Sequence, residues 1–307
     1  AMLALDAAAI RTRHPLELAV WTNEEGSRFS PGAMGSSAFA NPAVLESYLA
    51  STDAQGVCFE TARDAALRAV PEATTVALGR PVEAYVEAHI EQGPILEATG
   101  CRLGVVTGIQ GVRWFELVLS GDSAHAGTTP LDVRRDALMT AARLVARIGD
   151  MAEALGDPAL RLTVGRFEAA PGAINTVADR ALFTLDLRHP VDAVLESCEQ
   201  AIRSLVQQSA GRCSADMRRL MQRAPTPFAD EVVAVVDGAV GASGETSCRL
   251  VSGAFHDAMH LADVCPSAML FVPSHGGISH NAAEDTDEAD LVAGARVLAA
   301  VLTELAG

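Results

Sequence analysis

Apolar and polar positions divide the chain into short apolar runs and longer amphipathic stretches, a pattern typical of an α/β protein. An apolar run over residues 16–21 predicts a buried strand that ends at the polar stretch 22–29. Residues 84–94 predict a second short strand that ends in polar side chains, and two further strands are predicted over 103–107 and 268–272. Helical spacing predicts helices over residues 1–9, 43–50, 59–69, 231–240 and 288–305.

The pattern changes after the glycine-containing stretch 108–111, which we interpret as a domain boundary. Strands are then predicted over 112–120, 161–168, 180–188 and 213–221, and helices over 132–148 and 191–209. This β-α-β-β-α-β order is that of the ferredoxin-like split unit. We therefore predict a discontinuous α/β domain over 1–109 and 225–307, with an α+β domain over 110–224 inserted into it. The cleft between two domains is the expected place for a ligand.

Composition and charge exclude several classes of partner. The 307 residues include 23 basic and 39 acidic side chains, for a formal charge of −16. Such an acidic chain is not expected to bind nucleic acid or anionic membranes. No apolar run approaches the roughly 20 residues that span a bilayer, and the start lacks the basic region of a secretory signal. Six cysteines without CxxC spacing fit free thiols in a reducing cytoplasm.

Polar clusters at strand ends and in glycine-rich turns contain the candidate functional residues. They contain the acidic pair Glu24–Glu25, His89 with Gln92, His125 and His280. A carboxylate pair can hold a metal ion and move a proton, although most such pairs are solvated surface. Imidazole and carboxylate are the usual ligands of hydrolytic zinc or manganese. No local motif such as HExxH is present, so these ligands must converge from separate strands.

Six motifs together carry a resemblance over almost the whole chain. They are TNEEGSRF, HIEQGPILE, GDSAHAGTTP with RRDAL, INTV followed by TLDLRHP, SGAFHDA, and FVPSHGGISHN. In this order they resemble the hydantoinase/carbamoylase branch of the M20 metallopeptidase-like amidohydrolases. The resemblance implies a catalytic α/β domain with two divalent ions (Zn, Mn, Co or Ni) and an inserted ferredoxin-like lid that also forms a homodimer. It implies hydrolysis of the carbamoyl C–N bond of N-carbamoyl-L-amino acids, small ureido substrates that carry a carboxylate. Allantoate and N-carbamoyl-β-alanine are the alternative substrates.

The resemblance also implies roles for the catalytic and metal-binding residues. Glu24 matches the general base, and Glu25 and His280 match ligands of one metal ion. His89 matches a ligand of the other ion. His125 matches the lid histidine that polarises the scissile carbonyl, although a turn histidine that caps local backbone is the simpler interpretation of its residues alone.

Substrate contacts are implied at five further positions. Gln92, Asn175 and Arg188 match residues that hold the carboxylate and amide groups of the substrate. Arg188 suits the carboxylate because its planar fork binds bidentately, although its position alone fits a surface strand end. Gly253 and His256 lie in the SGAFHDA turn that borders the same pocket.

The sequence departs from the family pattern at its front. The upstream His-x-Asp motif and the bridging Asp of a Gly-Gly-x-x-Asp-Gly turn have no match here. Three explanations remain open: a preceding segment missing through disorder or cleavage, a shortened chain, or a degenerate non-catalytic relative that only dimerises. We favour the first two because every downstream position is intact. For the chain as it stands we expect reduced or no metal, with Glu25 and His280 holding one ion weakly and His89 lacking partners. We also expect Phe255, where the family usually has Gly, to narrow the pocket.

Overall fold

The computed structural model describes all residues, 1–307. It forms two compact units, one of residues 1–109 and 226–307 and one of residues 110–225. The helices are α1 (Met2–Ala7), α2 (Met34–Ala40), α3 (Leu45–Leu49), α4 (Phe59–Ala69), α5 (Ile95–Thr99), α6 (Ala137–Leu155), α7 (Asp192–Ser209), α8 (Asp230–Ser243), α9 (Ala258–Leu261) and α10 (Glu288–Ala306). The strands are β1 (Tyr85–Ile90), β2 (Leu103–Ile109), β3 (Gly111–Ser120), β4 (Ala124–His125), β5 (Arg161–Ala170), β6 (Thr176–Val177), β7 (Arg180–His189), β8 (Ser214–Arg223), β9 (Thr226–Pro227), β10 (Ser247–Ser252) and β11 (Ser267–Val272).

The first unit is built on a mixed five-stranded sheet. Its strands run in the order β1-β11-β2-β10, and β9 pairs with β2. β1 is parallel to β11 and β10 is parallel to β2, whereas β11 and β2 are antiparallel. Nearly every residue of β2 and β11 is buried, because the helices α8 and α10 pack against these central strands. β1 pairs with β11 alone, so the polar side chains at its carboxyl end lie at the margin of the sheet.

The second unit has the predicted ferredoxin-like arrangement. Its four antiparallel strands run in the order β5-β7-β3-β8, and the helices α6 and α7 pack against the sheet. Alternation along β3 places Phe115, Leu117 and Leu119 in the core, where they meet buried residues of both helices. The mixed α/β fold class predicted from the sequence is confirmed.

The prediction of a buried strand over residues 16–21 is wrong. No backbone hydrogen bond joins these residues to another segment, and Leu18 and Val20 are 78% and 87% exposed. An apolar run becomes a strand only where a neighbouring segment satisfies its backbone groups. The run is anchored at its end instead, because the Trp21 ring packs on Phe39 and Tyr85 with centroid distances of 5.6 and 6.3 Å.

The helix predicted over residues 132–148 begins later, at Ala137. A short 3-10 helix over Leu131–Val133 ends at Arg134, which is extended and whose guanidinium donates to the carbonyls of Ala126 and Thr129, so the α-helix begins only after this residue. Asp136 then caps the helix by accepting a hydrogen bond from the Met139 N–H at 3.0 Å. No helix of the protein is both long enough and apolar enough to cross a membrane.

Candidate active site

The loop of residues 22–33 holds the acidic pair in a locally determined conformation. Asn23 adopts a left-handed φ of 54°, and its side-chain amide donates to two loop carbonyls at 2.9 Å, one of them that of Phe29. Gly26 also has a positive φ, of 66°, and a Cβ there would lie 2.9 Å from the Gly32 Cα. The loop therefore closes tightly on itself, which orients the two glutamates without a strand.

The structure brings Glu25 and His280 together. Glu25 Oε2 lies 3.4 Å from His280 Nε2, and the two side chains are 59% and 71% exposed. Glu24, the neighbouring residue, is half-buried. Burial raises the pKa of Glu24, repulsion from Glu25 and Asp257 raises it further, and the charges of His89 and His280 act in the opposite direction. The pKa of Glu24 is therefore influenced both by Glu25 with His280 and by His89, the residues predicted to bind the two metal ions.

A second cluster lies on β1 and the turn after β10. One possible ligand atom from each of Glu87, His89 and His256 lies within 4.8 Å of the others. The centroids of the two imidazole rings are 4.6 Å apart. His256 Nδ1 lies 3.7 Å from Glu87 Oε1. The expectation that His89 would lack partners is therefore wrong. Glu87 was not among the residues predicted from the sequence, although its position two residues before His89 places both side chains on one face of the strand.

Burial controls the charges of this cluster. It raises the pKa of Glu87 and lowers that of His256 to about 3, because a low-dielectric environment disfavours each charged form. Burial also raises the pKa of Asp257, whose carboxylate accepts a hydrogen bond from the Ser36 hydroxyl. Burial therefore disfavours the charged forms of Glu87, His256 and Asp257.

Gln92 and the SGAFHDA turn flank these ligands. Gln92 has a positive φ of 56°, its backbone N–H donates to Ser274 Oγ at 2.9 Å, and its side-chain amide donates to Ser279 Oγ at 3.1 Å. Gly253 is exposed in the turn that carries His256. Phe255, two residues after it, packs against the core of the first unit.

The remaining predicted residues belong to the second unit. His125 lies in β4, which pairs with β6, and its Nδ1 accepts from the backbone N–H groups of Gly127 and Thr128 at 3.1 and 3.3 Å. Asn175 is exposed directly before β6, and its carbonyl accepts from the Ala126 N–H. His125 therefore caps local backbone N–H groups through Nδ1, as its turn sequence favours. These two contacts do not use Nε2.

Arg188 lies on β7 and is bound by a carboxylate of its own strand. Its Nε and Nη2 donate to Asp186, with the shortest contact at 2.7 Å. These contacts hold the guanidinium in one orientation, and the Arg188 side chain is 24% exposed to solvent.

Comparison with known proteins shows which family the chain belongs to. The profile of peptidase family M20/M25/M40 matches residues 1–304. The chain belongs to this family. It is 37% identical to an N-carbamoyl-L-amino acid amidohydrolase of Geobacillus stearothermophilus over 96% of this chain and 72% of that protein. It is 36% identical to the allantoate amidohydrolase of Escherichia coli over 100% of this chain and 75% of that protein.

Solved structures agree. An amidase of the hydantoinase/carbamoylase family from Burkholderia multivorans superposes with a TM-score of 0.90 at 39% identity, covering 99% of this chain and 73% of that one. The resemblance to the hydantoinase/carbamoylase branch is confirmed, and the protein is an M20 amidohydrolase, a hydrolase of C–N bonds.

M20 enzymes generally use divalent metal ions, and the donors present here fit such an ion. Glu25 with His280, and Glu87 with His89 and His256, are carboxylate and imidazole sets of the kind that bind zinc or cobalt. His256 Nδ1 is buried without a hydrogen-bond partner, so this atom is available to bind a cation.

Proposed function

We propose that this M20 protein hydrolyses the carbamoyl C–N bond of N-carbamoyl-L-amino acids with the help of divalent ions. The observation that carries the proposal is the contact of Glu25 Oε2 with His280 Nε2 at 3.4 Å directly beside Glu24, whose pKa is shifted by the charges of Glu25, His280 and His89. A bound divalent ion would supply an activated water and polarise the substrate carbonyl. Glu25 and His280 would hold one ion, and His89 would contribute to the other.

Glu24 is proposed as the base that removes the proton from water and returns it to the leaving nitrogen. Its half-buried carboxylate lies in a loop that Asn23 and Gly26 hold rigidly, so that it is positioned before substrate arrives. Proton transfer needs a carboxylate that does not itself bind a metal ion. Glu24 fits, because its neighbour Glu25 is the one that meets His280.

Substrate recognition is proposed for residues of both units. Gln92 presents an amide that Ser279 already orients, and this amide can bond the ureido group. Arg188 would bind the substrate carboxylate, with Asp186 holding its fork in place. His125 would polarise the scissile carbonyl, and Asn175 would bond the substrate amide. Dimerisation through the second unit belongs to the same proposal.

Ammonia release tests the proposed reaction. The chelator-treated chain would be given Mn²⁺, Co²⁺, Ni²⁺ or Zn²⁺ in turn and assayed with a panel of N-carbamoyl-L-amino acids. We expect release with at least one ion, and a loss of about 10²–10⁴-fold in Glu24→Gln, the range for removing a general base. Absence of release with every ion, or a Glu24→Gln variant as active as the wild type, would contradict the proposal.

Allantoate is a second candidate substrate, because the chain is as similar to an allantoate amidohydrolase as to the carbamoylases. Allantoate and N-carbamoyl-β-alanine belong in the same panel. A kcat/KM for either that exceeds those for all N-carbamoyl-L-amino acids would reassign the substrate and leave the reaction class unchanged.

A further inference from the structure

One end of the Gln92 side-chain amide is bound to the protein and the other is not. Nε2 lies 3.1 Å from Ser279 Oγ, whereas no protein group donates a hydrogen bond to Oε1. The backbone of Gln92 is fixed as well, because its N–H donates to the buried Ser274 hydroxyl at 2.9 Å and its φ of 56° is left-handed. The side chain therefore starts from a held backbone and ends with one amide atom that has no protein partner.

A carboxylate decides which amide atom meets Ser279. The Ser279 hydroxyl lies 2.8 Å from Glu284 Oε2. A carboxylate accepts hydrogen bonds, so the hydroxyl proton points to Glu284 and the Ser279 oxygen keeps its lone pairs for Gln92. That oxygen can accept from the NH2 group of the amide but cannot donate to the amide oxygen. The chain of hydrogen bonds from Gln92 through Ser279 to Glu284 therefore leaves Gln92 Oε1 as the atom that is open to a ligand.

Glu284 is itself held by the loop that carries Ser279. Its Oε2 also accepts from the His280 backbone N–H at 3.2 Å, and its own N–H donates to the Asn281 carbonyl at 3.0 Å. Asn281 Oδ1 accepts in turn from the Ala283 N–H at 2.9 Å. These contacts close residues 279–284 into a turn, so the direction of the Ser279 hydroxyl is set by local structure before any substrate binds.

Gln92 lies between residues that are proposed to act on the scissile group. It follows His89 by three residues, and its partner Ser279 directly precedes His280. A carbamoyl group placed next to both ions presents a carbonyl oxygen and a terminal NH2 there. Gln92 Oε1 is an acceptor, so it repels the oxygen and can bind only an N–H donor.

We infer that Ser279 and Glu284 are positioning residues that orient Gln92 so that its Oε1 accepts a hydrogen bond from the terminal NH2 of a carbamoyl group. The inference rests on the proposed function and names the part of the substrate that this amide selects. An N-formyl amino acid has a C–H bond where the carbamoyl group has this NH2, so it would leave Oε1 unpaired. A binding site discriminates against an analogue that leaves one of its polar atoms unpaired.

The ratio of kcat/KM for an N-carbamoyl-L-amino acid to that for the N-formyl derivative of the same amino acid tests the inference. Release of the free amino acid measures both reactions. A general disturbance of the site would lower both values together, whereas a misoriented amide would lower the ratio. We expect Ser279→Ala to lower the ratio by about 3–10-fold, the range of one hydrogen bond between neutral groups. Glu284→Gln should lower it in the same direction, because an amide at this position can donate to Ser279 and reverse its hydroxyl.

Three variants serve as controls for this ratio. Ser279→Thr keeps a hydroxyl and should keep the ratio of the wild type. Thr286→Val removes a hydroxyl that donates to the Pro273 carbonyl at 2.9 Å in the same loop, so it should leave the ratio unchanged. In Gln92→Met, which has no amide, adding Ser279→Ala should not change the ratio further, because the two residues act as one unit.

A second measurement does not require hydrolysis. In a chain labelled with ¹⁵N-glutamine, the NMR signal of the Gln92 side-chain NH2 is identified by its loss in Gln92→Met. We expect this signal to shift in Ser279→Ala and in Glu284→Gln, and to stay in place in Thr286→Val. Circular dichroism would show that each variant is folded, and Glu284→Gln decides if Ser279→Ala is not.

Two results would overturn the inference. They are an unshifted Gln92 signal in folded Ser279→Ala, and a ratio in that variant equal to that of the wild type. If no carbamoyl compound is hydrolysed but the signal shifts, the proposed function fails and the orientation of Gln92 by Ser279 and Glu284 is supported.

Discussion

Two glutamates of this protein sit in opposite electrostatic situations. Glu199, on α7 of the second unit, is 4% exposed and accepts from Arg219, Arg203 and Arg113 at 2.6, 2.8 and 2.9 Å. Glu87, on β1 of the first unit, receives hydrogen bonds only from neutral groups and faces an imidazole. Both side chains are largely withdrawn from water, but only Glu199 has its counter-charges inside the chain.

The pKa values of the two carboxyls move in opposite directions for this reason. Burial opposes ionisation at both. At Glu199 the arginine hydrogen bonds outweigh burial and the pKa is lowered, whereas at Glu87 burial dominates and the pKa is raised. A completed ion cluster stabilises the fold. An incomplete one leaves a carboxyl whose ionised form burial disfavours, which favours the uptake of a proton or a cation.

The largest expected effect is that of Glu199→Gln. It removes the buried carboxylate from Arg113, whose side chain is 5% exposed and keeps only the more exposed Asp192 as an acidic partner. Breaking a buried pair from one side costs about 3–5 kcal/mol. We expect urea denaturation at neutral pH to show this loss in the free energy of unfolding, with a much smaller loss in Glu87→Gln without metal. Equal losses in the two variants would break the comparison.

Metal should narrow the difference in stability between the two variants. An ion that binds only the folded chain adds about 2.7 kcal/mol at a concentration 100 times its Kd. We expect Co²⁺ to raise the thermal midpoint of the wild type and of Glu199→Gln, and to raise that of Glu87→Gln less. An equal rise in Glu87→Gln would show that the stabilising ion is bound elsewhere.

Low pH should remove the contribution of Glu199 to the free energy of unfolding. Its folded pKa lies below that of the unfolded chain, so its stabilisation is present above the ordinary value of about 4.3 and is lost as pH falls through the folded pKa. The difference in free energy of unfolding between wild type and Glu199→Gln should therefore narrow below pH of about 4. Denaturation curves at several pH values measure it, and a difference that widens in acid would contradict the assignment.

The smallest effect is expected at an exposed pair. Arg166 and Glu168 form a bidentate contact at 2.7 Å, but both side chains are 51% exposed. Solvent screening makes such pairs weak. Glu168→Gln should leave the midpoint of urea denaturation unchanged. A loss comparable to that of Glu199→Gln would show that burial is not the variable that separates these carboxylates.

Local patterns predicted most of the fold. Helical spacing alone placed α4 over Phe59–Ala69 and α10 from Glu288, and alternation placed β3 and β7 within a residue or two. The failures arose where the decisive contact is distant in sequence. Residues 16–21 are apolar enough for a strand but lack a partner, and β10 was missed because its six residues, SCRLVS, form no long apolar run and become a strand by pairing with β2.

The sequence by itself determined the family, the fold class and a set of polar residues at strand ends, because motifs and periodicity are local properties of the chain. Only the tertiary structure decided which of those residues meet. It joined Glu25 to His280 and put His256, predicted to border the substrate, beside His89 and the overlooked Glu87. Residues 87 and 256 are far apart in sequence and lie side by side only in the folded chain, where Glu87 Oε1 is 3.7 Å from His256 Nδ1, a contact that no linear pattern records.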